Sequence, residues 1–220
     1  MTDASHHLSF ASGISLDPSW PNAAPENMSV IGLTRFAACY IEAAEHMLFN
    51  TDDVSHPMEF YLGPTLQLTG LAAELTFKTL LQGGGYSEKQ TRKFGHSSYD
   101  AYLEARSFFD ELQFLSMVAY SCENYMPEKV RSSINQNFGT EWPDGWNTFS
   151  PQIGILDLVY DRPFRSRYHS EGVIFLPVAF VIILGVKTLL STMLERVGDD
   201  RLPGSLTPPS QDCLPPVRLP

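Results

Sequence analysis

The sequence predicts an all-α protein: a helical bundle of five or six helices, flanked by an irregular N-terminal arm and a Pro-rich C-terminal tail. Two observations carry the prediction. Apolar residues recur at the three- and four-residue spacing of a helix face over several long stretches. Residues that open helices (Ser, Pro) and close them (Gly) punctuate those stretches. At 43% apolar and 18% charged, the 220-residue chain has the composition of one globular domain rather than of a disordered segment.

Residues 1–27 carry Pro18, Pro21 and Pro25 and little periodicity, and read as the arm. The helical domain occupies residues 28–197. Its first helix is Met28–Phe49, where Leu33, Phe36, Ala37, Tyr40, Ile41, Ala44, Met47 and Leu48 share one face. Asn50–Leu62 reads as a loop. Pro64 suits the first turn of the next helix, because its missing N–H costs nothing there. Leu68, Leu71, Ala72, Leu75, Thr79 and Leu80 form that helix's buried stripe, and Gly83 is placed to stop it in a left-handed cap.

Ser87-Glu88-Lys89-Gln90 fits a capping box for a short helix ending at Gly95. Ser97-Ser98-Tyr99-Asp100 fits another, opening a helix through Phe109 that extends toward Glu123. Pro127 starts a helix to Phe138. The turn Trp142-Pro143-Asp144-Gly145-Trp146 follows, and Ile153–Tyr160 reads as a short strand or extended segment. The last helix is Val173–Val197. Its apolar run Val173–Val186 is 14 residues long, shorter than the roughly 20 that span a bilayer, so it reads as a buried central helix with no stable membrane span. Residues 198–220 form the tail, which holds six prolines and reads as disordered.

Several chemistries find no support. There is no Gly-x-x-x-x-Gly-Lys phosphate loop, no Gly-x-Ser-x-Gly elbow and no Glu-x-x-His ligand pair. Cys39, Cys122 and Cys213 lack metal-binding spacing; Cys39 and Cys122 read as buried free thiols in a reducing cytosol. Glu42 and His46 read as an exposed helical ion pair. No signal peptide is visible, and neither metal nor cofactor is expected.

The charge distribution is more telling. A net charge of −10 opposes nucleic-acid binding through overall electrostatics. Yet six of the 15 Lys and Arg residues fall in two short windows: Lys89, Arg92 and Lys93 beside His96, and Arg162, Arg165 and Arg167 beside His169. Forked guanidiniums suit phosphates and carboxylates. An Arg with a His also suits metal-free RNA cleavage, the His taking the 2′-hydroxyl proton and the Arg stabilising the phosphorane. The same arginines equally suit salt bridges to the chain's 25 Asp and Glu residues. His96 suits either a bond to backbone groups at the two neighbouring helix ends or an anion pocket with Arg92 and Lys93.

The run Leu71-Ala72-Ala73-Glu74-Leu75-Thr76-Phe77-Lys78-Thr79-Leu80-Leu81, a Gly-rich break, and Lys93-Phe94-Gly95-His96 before an amphipathic helix resembles HEPN-domain proteins. Arg167-Tyr168 before a final apolar helix adds to the likeness, which covers residues 30–197. The resemblance implies a helical bundle that commonly dimerises. It also implies membership of a group that includes toxins, defence nucleases, RNA-processing enzymes and inactive binding modules. Active members carry Arg, a polar residue, three to five further residues, then His. Arg162 and His169 fit the outer limit of that spacing, with Pro163 where the polar residue stands.

The expected function is RNA or nucleotide binding by a cytoplasmic homodimer, through Arg92, Lys93, His96, Arg165 and Arg167. A metal-independent endoribonuclease using Arg162 and His169 is the alternative. A protein-interaction scaffold with Pro208-Pro209 and Pro215-Pro216 as extended segments is the third. Whether the chain is an enzyme stays open at this point.

Overall fold

The computed structural model describes residues 14–21, 28–49, 59–126, 128, 130–132, 149–160 and 176–197. Among them the protein is all-α: α1 Met28–Phe49, α2 Glu59–Gly83, α3 Glu88–Thr91, α4 Ser98–Ala105, α5 Glu111–Tyr125, α6 Phe149–Tyr160 and α7 Ala179–Val197. Short 3-10 turns, Arg92–Phe94 and Arg106–Phe108, extend α3 and α4. The one strand-like pairing among the described residues is an isolated antiparallel bridge between Leu16 and Phe109.

Helix α7 is the axis of the bundle. It packs against α1, α2, α5 and α6, and its side chains from Ala179 to Leu190 are buried on all sides except at Thr188. A helix apolar all round belongs in the centre of a core. No helix among the described residues is long and apolar enough to cross a membrane. Beside α7, Phe77, Tyr102, Phe109, Phe114 and Phe149 meet edge to face or tilted, with centroids 4.9–6.5 Å apart. Gly185 makes room for this cluster: a Cβ there would stand 2.3 Å from the Phe149 ring.

One charge is buried on the axis. Lys187 donates to both carboxylate oxygens of Glu45 on α1, at 2.8 and 2.7 Å, with side-chain exposures of 6% and 16%. Burial raises the carboxyl of Glu42, one turn earlier, against the opposing pull of Lys187.

Several elements depart from the sequence reading. Helix α2 begins at Glu59, not at Pro64, which lies inside it. Gly63, lacking a Cβ, removes the side-chain part of the clash that a proline imposes on the residue before it. Gly83 is the last helical residue rather than a left-handed cap; a Cβ there would sit 2.3 Å from the indole nitrogen of Trp20. The left-handed conformation falls to Gly85, φ 98°. There the bonds Tyr86 N–H to Leu81 O (2.9 Å) and Gly85 N–H to Gln82 O (3.0 Å) close the helix.

The helix that opens at Ser98 stops at Ala105, and a new one begins at Glu111 because Asp110 caps it, accepting from the Gln113 amide at 3.0 Å. Phe109 between them is extended, φ −149°. Ile153–Tyr160 is neither strand nor extended; it is the end of α6, whose buried residues Phe149, Gln152, Ile153, Leu156, Val159 and Tyr160 follow helical spacing. Helix α7 starts after Pro177, and Leu176–Val178 is non-helical, with the Val178 amide donating to Gln152 Oε1 at 2.7 Å. Cys39 is exposed rather than buried, on the outer side of α1. Cys122 is buried, and burial pushes its thiol up to about 12.

Residues 14–21 of the arm are irregular but tied to three helices. Ile14 N–H reaches Thr192 Oγ1 on α7 (3.3 Å), Ser15 N–H reaches Gln113 Oε1 on α5 (2.8 Å), and the Trp20 indole donates to Leu80 O on α2 (2.9 Å). Arg196 returns the contact from the far end of the chain, donating to the carbonyls of Trp20 and Pro18 at 3.0 and 2.9 Å.

Candidate functional site

The site is built around one carboxylate. Glu74, in the middle of α2, is 5% exposed and faces the α3–α4 connection. Its Oε1 accepts from Lys78 Nζ at 2.6 Å, one turn along the same helix. Its Oε2 accepts from Tyr160 Oη at 2.8 Å and lies 3.0 Å from His96 Nδ1. Three donors thus converge on one buried acid. Burial alone would raise that acid, but hydrogen bonds from Lys78, His96 and Tyr160, with the Lys78 charge, hold it below the ordinary 4.5. Glu74 is therefore ionised at neutral pH.

Each partner is placed for a local reason. Lys78 also donates to Gly95 O at 2.6 Å, so it clamps the turn that presents His96. Gly95 has φ 57°, a left-handed conformation that needs glycine, and it turns the chain sharply between the two helices. Tyr160 is 3% exposed and lies across Gly70 of α2, where a Cβ would be 2.3 Å from its ring. The Tyr160 ring stands edge-on to the imidazole, with centroids 6.3 Å apart and planes at 88°. His96 keeps 55% of its side chain exposed, and its Nε2 makes no hydrogen bond to the described residues.

A second carboxylate fixes the start of α4. Asp157 of α6 accepts from Ser97 Oγ (2.7 Å), the Ser98 amide (2.9 Å) and the Tyr99 amide (2.9 Å). Ser97 Oγ accepts in turn from the Asp100 amide at 3.1 Å. Asp157 thus satisfies orphan donors of α4 from another helix and pins the His96 turn to α6.

Of the residues singled out by sequence, His96 bonds a carboxylate and not the backbone of either helix end. Arg92 is paired with Glu88 one turn earlier, both well exposed. Lys93 is exposed and has no ion-pair partner among the described residues. Arg162, Arg165, Arg167 and His169 lie outside the described residues. Tyr160 and Asp157 escaped the sequence reading because the segment holding them read as a strand. Three or more His, Cys, Asp or Glu side chains grouped as for a metal do not occur among the described residues.

The chain is thus an all-α bundle with a carboxylate-anchored histidine at one surface turn. No family model, curated protein or solved structure matches it.

Proposed function

We propose that this is a HEPN-like helical protein that binds RNA or a nucleotide at a site to which both Arg/His windows contribute, working as a homodimer. The observation that carries this reading is the convergence on Glu74. One of its donors, His96, belongs to the first window; another, Tyr160, stands two positions before Arg162, where the second window begins. The residues behind the family resemblance, Glu74, Lys78, Gly95 and His96, also meet in one hydrogen-bonded unit, which gives that spacing a physical purpose. Lys93 supplies an exposed cation on an otherwise acidic molecule, so attraction to phosphate is local and salt-sensitive.

The test is fluorescence anisotropy with a short labelled RNA and with a labelled nucleotide, on the wild type and on Arg165→Ala/Arg167→Ala. Loss of two phosphate contacts lowers affinity by about tenfold or more and flattens the log–log salt slope by roughly 0.7 per contact for single strands. Unchanged affinity in the double variant overturns the shared-site reading. Sedimentation of the free protein as a monomer at micromolar concentration overturns the dimer.

A further inference from the structure

We infer that His96 is the group that recognises a ribose hydroxyl, with Glu74 as its positioning residue; the inference rests on the RNA or nucleotide reading above. An ionised carboxylate only accepts hydrogen bonds, so the contact of 3.0 Å between Glu74 Oε2 and His96 Nδ1 places a proton on Nδ1. A neutral imidazole carries one N–H. In that neutral form Nε2 is a bare acceptor, and it lies across the half-exposed ring from the nitrogen that Glu74 holds.

The ring is also held still. Glu74 anchors Nδ1, the edge-on Tyr160 ring walls one side, and Lys78 clamps the carbonyl of the preceding Gly95 at 2.6 Å. Asp157 fixes the chain just beyond at Ser97, Ser98 and Tyr99. A rigid, outward-facing acceptor selects a ligand donor at low ordering cost. Phosphate oxygens at neutral pH present no such donor. The 2′-hydroxyl does, and it neighbours the phosphate that an exposed cation such as Lys93 attracts. Deoxyribose lacks it.

The experiment compares a labelled RNA with the DNA of the same sequence, in EDTA, on wild type, His96→Ala and Glu74→Gln. Wild type is expected to favour RNA by on the order of fivefold, the worth of one net hydrogen bond. His96→Ala lowers RNA affinity to that for DNA and so removes the preference, by on the order of fivefold. Glu74→Gln weakens the preference, and introduced into His96→Ala it changes nothing further, because the carboxylate acts through the imidazole. Equal wild-type affinity for both strands, or an RNA preference that survives in His96→Ala, overturns this inference and leaves the binding reading standing. No binding to either strand or to a labelled nucleotide overturns the binding reading itself. Should Glu74→Gln fail to fold, the nitrogen-15 shifts of His96 in the wild type decide: a protonated Nδ1 with bare Nε2 is expected, and the opposite tautomer overturns the assignment.

Discussion

Replacing Glu74 by Gln keeps the side chain's shape and removes its charge. One carbonyl oxygen then replaces two carboxylate oxygens, and the new amide N–H₂ faces groups that had donated; the Tyr160 hydroxyl can turn to accept from it, the Lys78 ammonium cannot. His96 is half-exposed and recovers its bond from water, so its loss costs little. Lys78, only 15% exposed, keeps Gly95 O but loses its counter-charge. A hydrogen bond to a charged group is worth about 1.5–3 kcal/mol. Tyr160, buried at 3%, competes with Lys78 for the one remaining oxygen, and losing that contest costs about 1 kcal/mol more. The sum is a loss of about 2.5–4 kcal/mol, read as a shift in the urea midpoint at constant slope. The pH dependence follows from the lowered carboxyl. Its stabilisation is fully present above the unfolded value near 4.5 and is lost as pH falls through the lower folded value. Protonated Glu74 resembles Gln, so wild-type and variant stabilities converge in acid. A loss below about 1 kcal/mol at neutral pH, or a gap that stays constant into acid, refutes the reasoning.

Three further outcomes are expected. Asp157→Ala strips three acceptor contacts from the start of α4 and costs about 1–3 kcal/mol; amide exchange at Ser98 and Tyr99 should accelerate, and unchanged exchange would show that the cap is dispensable. Glu45→Ala leaves the Lys187 ammonium buried without its partner and costs about 3–5 kcal/mol, whereas Glu45→Leu with Lys187→Met stays within about 1 kcal/mol of wild type; urea titrations that rank the two the other way contradict this account. A hydrophilic maleimide should label Cys39 in the folded protein and Cys122 only after denaturation, because burial pushes the Cys122 thiol up to about 12. Mass mapping that finds equal rates would count against the burial.

The helical class was legible because helical spacing survives averaging over long elements such as α1, α2 and α7. The short elements were harder. Ile153–Tyr160 shows β-branched residues and only two turns, and its helical face becomes visible only when Phe149 and Gln152 are included. The break before α5 was signalled by Asp110 three residues ahead of Gln113, a cap hidden inside what reads as one apolar stripe. At the site, His96 and its Gly95 turn stood out from sequence, as did the Glu74–Lys78 spacing. Their convergence on one oxygen pair did not, because it depends on Tyr160, 86 residues away, and on a missing Cβ at Gly70. Spacing along a chain records neighbours on one helix, but not which helix lies opposite.

The tie between the two ends of the chain bears on how the protein is made. Trp20 and Arg196 are 176 residues apart, yet the second donates to the first's carbonyl. At about 5–20 residues per second, a ribosome needs roughly 10–35 s to travel from one to the other. Once α2 has been made, the indole that fills the notch at Gly83 has a helix to dock against but still no Arg196 to hold it. The apolar faces of α1, α2 and α5 likewise wait for α7, the last described helix to be synthesised. Burial of those faces is therefore a late event in synthesis, and until α7 emerges the nascent chain presents them to the cell.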